Sequence, residues 1–274
     1  MRHTVVDADS LNLYACQAEI AAGTDVPRRG PTPLLGDAGR RSEGGTPSDG
    51  RSKSGLRLHL AFLEMSGNFK GWKGDFQGFF LGLRINNSKA YFDAHRRQYE
   101  DEVKAPMVAL LADLEEEFGP AHLSRPNRDI RFAADKSPYK LNIYADARNG
   151  GYVALDAETL VAAGGRYMMD AAQLAKFRAG IAAARSGAEL TKIVAALRAK
   201  GYDVEGQELK RVPPPHPQDH PRGGLLRHKR LIYWKRWPIE PWIATAATRE
   251  RIAKVWRDGA ELNAWLARHL DSAK

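Results

Sequence analysis

Residues 128–140, with the sequence RDIRFAADKSPYK, concentrate four basic and two acidic side chains beside a serine and a tyrosine. Two arginines can hold a phosphate or carboxylate through paired N–H groups, while a lysine adds a point charge and a hydroxyl adds a further donor. This chemistry predicts an anion-binding site that uses Arg128, Arg131, Asp135, Lys136, Tyr139 and Lys140.

The same stretch also permits a purely structural interpretation. In that case Asp129 and Asp135 pair with the neighbouring basic groups, and the charged cluster only ties a loop to a sheet. Exposed ion pairs contribute about 0 to 1 kcal/mol each, so stability alone is a weak reason for six charges in thirteen residues. We therefore expect anion binding, and salt-bridge architecture remains the alternative.

A second basic region lies at residues 208–237, which hold eight basic and two acidic side chains, a local net charge of +6 within a chain of net charge +9. Such a patch attracts phosphates and nucleic acid, so Arg222 and Lys229 join the predicted ligand-binding residues. Its segment LIYWKRWPIEPW alternates aromatic residues with Lys235 and Arg236. That pattern is compatible with stacking on bases or with aromatic packing against the core.

Several classes of site are excluded or disfavoured. The only cysteine is Cys16, so the chain has no internal disulfide and no cysteine-ligated metal centre. His216 and His220 lie among prolines that prevent a shared helix, so we predict no metal site and assign no cofactor. No run of 18 apolar residues occurs, so we expect a cytoplasmic protein without a membrane partner.

The domain organisation follows from composition. Residues 22–55 contain eight glycines and four prolines in 34 positions, a content typical of disordered segments. We predict that residues 1–66 form a disordered and dispensable extension and that residues 67–274 form one globular domain.

Within that domain the hydrophobic period changes twice. Residues 77–119 have a helical pattern with Ser88 as N-cap, a kink or restart at Pro106 and an end at Gly119. Alternating runs at 131–134, 140–147, 151–157 and 159–168 predict short strands, and helices resume after Asp170.

These elements predict an α+β domain with N-terminal helices, a central antiparallel sheet and C-terminal helices. The Gly164–Gly165 pair predicts a bulge or a close backbone approach in the last run. We further expect residues 128–140 to be a loop that leads into an antiparallel strand, with Phe132 buried.

Four segments, in order, carry a family resemblance: FFLGLRINNSKAYFDAHRRQYEDEVKAPM, RDIRFAADKSPYK, GYVALDAETLVAAGGRY and LKRVPPPHPQDHPRGGLLRHKRL. Together they resemble the conserved hypothetical proteins classed as domain of unknown function 2461, over about residues 76–231. Every fixed position of the family's hallmark, R-D-x-R-F-x-x-D-K-[ST]-P-Y-K, is present. Tyr91 stands where the family typically has Trp, and the proline-rich loop at 212–221 differs from its relatives.

The resemblance implies no reaction, because the family has no established biochemical role. From the residues we predict binding of a phosphorylated small molecule or a nucleic acid. One alternative is a hydrolase of a phosphate-containing substrate, with Asp129 or Asp135 in an acid-base or metal-holding role and His95 or His220 as imidazoles. Another is a structural or protein-interaction domain with an architectural salt-bridge motif.

Overall fold

A computed structural model of the chain describes residues 69–131, 133–149, 151–206 and 208–271. The predicted extension at residues 1–66 and the predicted burial of Phe132 lie outside these described residues.

The N-terminal part of the domain is helical, as predicted. The elements are α1 (Phe76–Ile85), α2 (Lys89–Ala94), α3 (Arg96–Gln98), a π-helix (Tyr99–Lys104) and α4 (Ala105–Phe118). The Ser88 hydroxyl accepts a hydrogen bond from the Tyr91 N–H and so caps α2. Pro106 lies in the first turn of α4, where it marks a restart, and Gly119 ends that helix with φ of 75°.

A six-stranded antiparallel sheet forms the centre of the domain. Its strands follow the order β1-β2-β3-β4-β6-β5 and are β1 (Ala121–Leu123), β2 (Asn142–Ala147), β3 (Gly151–Asp156), β4 (Thr159–Arg166), β5 (Asp203–Glu205) and β6 (Leu231–Pro238). Strands β2 to β4 are mainly apolar, and most of their residues are buried.

One predicted strand is wrong: the described residues of 131–134 belong to a loop. The physical reason is competition from side chains. The Asp129 carboxylate accepts the Arg131 N–H at 3.2 Å, and the Asp135 carboxylate accepts the Ser137 N–H at 2.8 Å. Such local bonds occupy backbone donors that a strand would offer to its neighbour.

The predicted close backbone approach at the glycine pair is confirmed. Gly165 has φ of 101°, and a Cβ atom there would lie 2.4 Å from the Leu231 carbonyl oxygen on the paired strand β6. Only glycine fits this conformation and this separation.

The C-terminal part is again helical. Its elements are α5 (Ala171–Ala182), α6 (Ala184–Ala199), α7 (Gly223–Leu226), a 3-10 helix (Pro241–Ala244), α8 (Ala247–Asp258) and α9 (Ala260–Leu270). Helices α8 and α9 pack on the sheet, where the Trp256 indole donates to the Tyr152 carbonyl at 3.1 Å and the Asn263 side chain accepts the Gly165 N–H at 3.0 Å. The predicted α+β architecture is confirmed. Among the described helices, none is long and apolar enough to cross a membrane.

The strand register defines two ends of the sheet that matter below. Asn142 pairs with Asp156, and Thr159 pairs with Pro238, so these four residues mark one end, which we call the hallmark end. Ala147 and Leu231 mark the opposite end, because β2 and β6 run in opposite directions.

Candidate functional site

Residues 128–140 form a closed loop, the hallmark loop, between β1 and β2 at the hallmark end of the sheet. The Arg128 N–H donates to the Pro138 carbonyl at 2.9 Å, and the Lys140 N–H donates to the Pro126 carbonyl at 2.8 Å. These two bonds form a neck from which the loop extends. The chain then enters antiparallel strand β2 at Asn142, as predicted.

Both arginines of the hallmark loop are engaged by aspartates. Arg128 pairs with Asp135 and also donates to the Ser137 carbonyl at 3.2 Å. The Arg131 guanidinium donates to both oxygens of the Asp129 carboxylate, with Nη2 2.6 Å from Oδ2 and Nε 3.0 Å from Oδ1. Both arginines therefore form ion pairs with Asp135 and Asp129, as the structural interpretation of the sequence describes.

These partners hold both carboxylates in the ionised form. Hydrogen bonds from the Arg131 guanidinium, followed by its backbone N–H, lower the pKa of Asp129 to about 2. The hydroxyl and N–H of Ser137, together with Arg128, lower the pKa of Asp135. A carboxyl group with so low a pKa has no proton to donate at neutral pH and is a weak base.

Tyr139 anchors the hallmark loop to the N-terminal helices. Its side chain is only 7% exposed, and its ring stacks on Phe92 of α2 with the centroids 4.2 Å apart and the planes 5° apart. The Asn87 side chain bonds both backbone groups of Tyr139, accepting its N–H at 3.0 Å and donating to its carbonyl at 2.9 Å. Tyr139, predicted as a ligand-binding residue, thus serves as an anchor.

Helix α2 adds a third ion-paired carboxylate that the residue chemistry alone did not single out as part of the site. Asp93 forms ion pairs with Lys89 and with Arg96, and the Arg96 Nη2 lies 2.7 Å from the Asp93 Oδ1. Both hydrogen bonds lower the pKa of Asp93, and the bond from Lys89 has the larger effect. The Arg96 guanidinium also lies 5.3 Å from the Phe92 ring centroid. The usable signal was the first segment of the family resemblance, FFLGLRINNSKAYFDAHRRQYEDEVKAPM, which contains Asp93.

The two lysines of the loop bind neutral oxygens. Lys136 donates to the Ile130 carbonyl at 3.0 Å, and Lys140 donates to the Arg125 carbonyl and the Tyr144 hydroxyl, both at 3.2 Å. Seven cations and three carboxylates make up what we call the hallmark cluster, with a net charge of 7 − 3 = +4: Lys89, Asp93, Arg96, Arg125, Arg128, Asp129, Arg131, Asp135, Lys136 and Lys140. All three carboxylates already hold a cation.

The structure does not bring Arg222 and Lys229 to this cluster. Arg222 closes the C-terminus of α5, donating to the Ile181 carbonyl at 2.6 Å and the Ala182 carbonyl at 2.8 Å. Lys229 is exposed and lies two residues before β6, at the opposite end of the sheet. Three strand spacings of about 4.8 Å and a strand length of about 23 Å separate it from the hallmark loop.

Beside Lys229, the buried His228 ring gives a prediction about pH. Its Nδ1 makes no hydrogen bond within the described residues, and the nearest Glu208 oxygen is 3.8 Å away. Burial lowers the pKa of His228, and the nearby Glu208 carboxylate acts in the opposite direction. The other charged neighbours of the ring are Glu205, Arg198 and Arg227.

Because the folded pKa lies below the unfolded value of about 6.5, the unfolded state binds the proton first as pH falls. We expect the free energy of unfolding to decrease between pH 7 and pH 5, and we expect His228→Phe to flatten that part of the profile. Urea unfolding at each pH measures this. If the free energy of unfolding of the variant fell with pH as steeply as that of the parent, the loss of stability would come from groups other than His228.

Of the comparisons with known proteins, the one with family models gives a match. The family model described as "Conserved hypothetical protein (DUF2461)" matches residues 75–265, a range that contains both the hallmark loop and its anchor on α2. No curated protein and no solved structure matches the chain. The resemblance predicted from the sequence is confirmed, and the chain belongs to the DUF2461 family of conserved hypothetical proteins.

Proposed function

We propose that the chain binds an anionic, phosphate-bearing ligand at the hallmark cluster. One observation carries the proposal: the cluster keeps a net charge of +4 although each of its three carboxylates is already bound by a cation. A surface with this surplus attracts anions, and the attraction does not require any internal ion pair to break.

The ion pairs give the site a defined shape. The Arg128 side chain, which is 29% exposed, binds both the Asp135 carboxylate and the Ser137 carbonyl. These bonds connect the start of the hallmark loop to its end. Lys136 is exposed on the loop, and Arg125 is exposed just before the neck, where its charge acts on Asp129. A loop that is already ordered loses less entropy when a ligand binds, so the structural pairs support binding by the neighbouring cations.

The hydrolase alternative has less support. Asp129 and Asp135, the predicted acid-base residues, are held ionised by arginine and serine. Within the described ranges, no group of three or more His, Cys, Asp or Glu residues is arranged to hold a metal ion. The architectural alternative is favoured by one observation, the three hydrogen bonds between the Arg131 guanidinium and the Asp129 carboxylate.

The proposal is tested with inorganic tripolyphosphate and the double variant Arg125→Gln, Lys136→Gln. Each lost charged hydrogen bond weakens binding about tenfold, so we expect a clear rise in Kd by isothermal titration calorimetry. The matched control is Lys229→Gln, an exposed lysine at the opposite end of the sheet, which should leave Kd unchanged.

Raising the salt concentration should weaken binding by the parent and narrow the gap between parent and double variant. No measurable binding of tripolyphosphate by the parent would refute the proposal. An equal loss in Lys229→Gln and in the double variant would assign any binding to overall charge and would also count against this site.

A further inference from the structure

The six tryptophans of the chain divide into two groups by position. Trp72, Trp256 and Trp265 are almost completely buried in the core. The other three are partly exposed: Trp234 and Trp237 lie in β6, and Trp242 lies in the 3-10 helix that follows it. Trp234 and Trp237 are three residues apart on one strand and so point to opposite faces of the sheet, whereas the rings of Trp237 and Trp242 are neighbours that can contact a ligand together.

Two of these rings form a compact unit with an arginine. Trp237 and Trp242 meet edge to face with centroids 5.7 Å apart, and the Arg251 guanidinium lies 4.2 Å from the Trp242 centroid. The Trp242 indole N–H donates to the Glu240 carboxylate at 2.6 Å, which fixes the ring. We call Trp237, Trp242 and Arg251 the tryptophan platform.

The platform lies at the hallmark end of the sheet. Trp237 pairs with Leu160, and the next residue of β6 pairs with Thr159, at the end where the hallmark loop enters β2. The Ile239 N–H also donates to the Glu158 carbonyl at 3.0 Å, which holds the chain after β6 at this end. Three strand spacings, about 14 Å, separate β2 from β6.

The geometry points to single-stranded nucleic acid as the ligand, with its bases on the tryptophan platform and its phosphates at the hallmark cluster. This inference rests on the proposed function, because it identifies the anion. Aromatic rings and arginine planes stack on bases of any sequence, while a basic surface follows the backbone. Bases in a duplex have their faces covered by neighbouring base pairs, so the platform selects unpaired strands.

The test is fluorescence anisotropy with a labelled oligothymidylate of about 12 nucleotides, within the usual site size for such surfaces. We expect Trp237→Leu and Trp242→Leu each to raise Kd at least fivefold, because leucine fills the space without offering a planar ring. Duplex DNA of the same length should bind the parent more weakly than the single strand.

The matched control is Trp234→Leu. Trp234 lies on the same strand and has an arginine, Arg236, 5.1 Å from its ring centroid, but it is three residues from Trp237 and points to the other face of the sheet. We expect its Kd for oligothymidylate to equal that of the parent. Urea unfolding of all three variants identifies any Kd change that comes from loss of fold, and Trp237→Phe, which keeps a ring, should recover most of the affinity.

Tripolyphosphate separates this inference from the proposed function, since it carries charge but no bases. We expect the platform variants to bind tripolyphosphate as the parent does. If they also bind oligothymidylate as the parent does, or if Trp234→Leu loses as much affinity, the inference is overturned while the proposed function stands. If the parent binds neither probe, both are overturned.

Discussion

Replacing Tyr139 with alanine is expected to lower the free energy of unfolding by about 3 kcal/mol, in the range for removing a buried aromatic side chain. The change removes the stacked contact with Phe92, a ring contact that joins the hallmark loop to α2. Urea unfolding followed by circular dichroism measures the loss. We also expect weaker tripolyphosphate binding by the part that remains folded, because the loop tip is no longer held in place.

The control is Tyr139→Phe, which keeps the stacked ring and both Asn87 bonds, since these go to the backbone of residue 139. Its stability should lie within about 0.5 kcal/mol of the parent. A large loss in the phenylalanine variant would show that the hydroxyl, and not the stack, carries the anchoring. No loss in the alanine variant would show that the loop keeps its place without the ring.

Gly165→Ala is expected to destabilise the sheet by about 3 kcal/mol, because two costs combine. A residue other than glycine in the left-handed region costs about 1 to 2 kcal/mol, and forcing an atom into a packed contact costs about 1 to 3 kcal/mol. The added Cβ would lie 2.4 Å from the Leu231 carbonyl oxygen and 2.9 Å from the Ile232 Cα. Both are backbone atoms of β6, which cannot rotate away from the contact as the end of a side chain can. Urea unfolding measures the total.

Two other glycines separate these costs. Gly201 also has a positive φ, 80°, but the nearest atom to its added Cβ is the end of the Lys235 side chain at 3.6 Å, so Gly201→Ala should lose only about 1 kcal/mol. Gly224 has neither a positive φ nor any atom within 4 Å of the added Cβ, and it lies in helix α7, so its alanine variant should be at least as stable as the parent. If Gly165→Ala lost no more than Gly201→Ala, the close approach of β4 and β6 would be refuted.

The features that the sequence predicted correctly are local. Ser88 caps α2, helix α5 begins directly after Asp170, whose carboxylate accepts the Gln173 N–H at 2.8 Å, and Gly119 ends α4. Each signal acts over three or four residues, so the residue types alone determine it. The alternating apolar runs that became β2, β3 and β4 are local in the same sense.

The strand predicted at residues 131–134 shows where such signals fail. An alternating run of four residues is a weak signal, and two aspartates nearby offered the backbone closer partners than a neighbouring strand could. The sequence identified the charged residues of the hallmark loop, but not which carboxylate each arginine would bind. That choice depends on the path of the loop between its neck residues, Arg128 and Pro138.

By itself the sequence determined the α+β class, the family and the residue types of the candidate site. Only the tertiary structure decided what these residues meet. Asn87 and Tyr139 are 52 residues apart and bond directly, while Lys229 and Trp237, eight apart, lie at opposite ends of the sheet. The reason is that strand partners and register are set by packing across the whole core, and β6 joins β4 only after more than sixty residues of intervening chain.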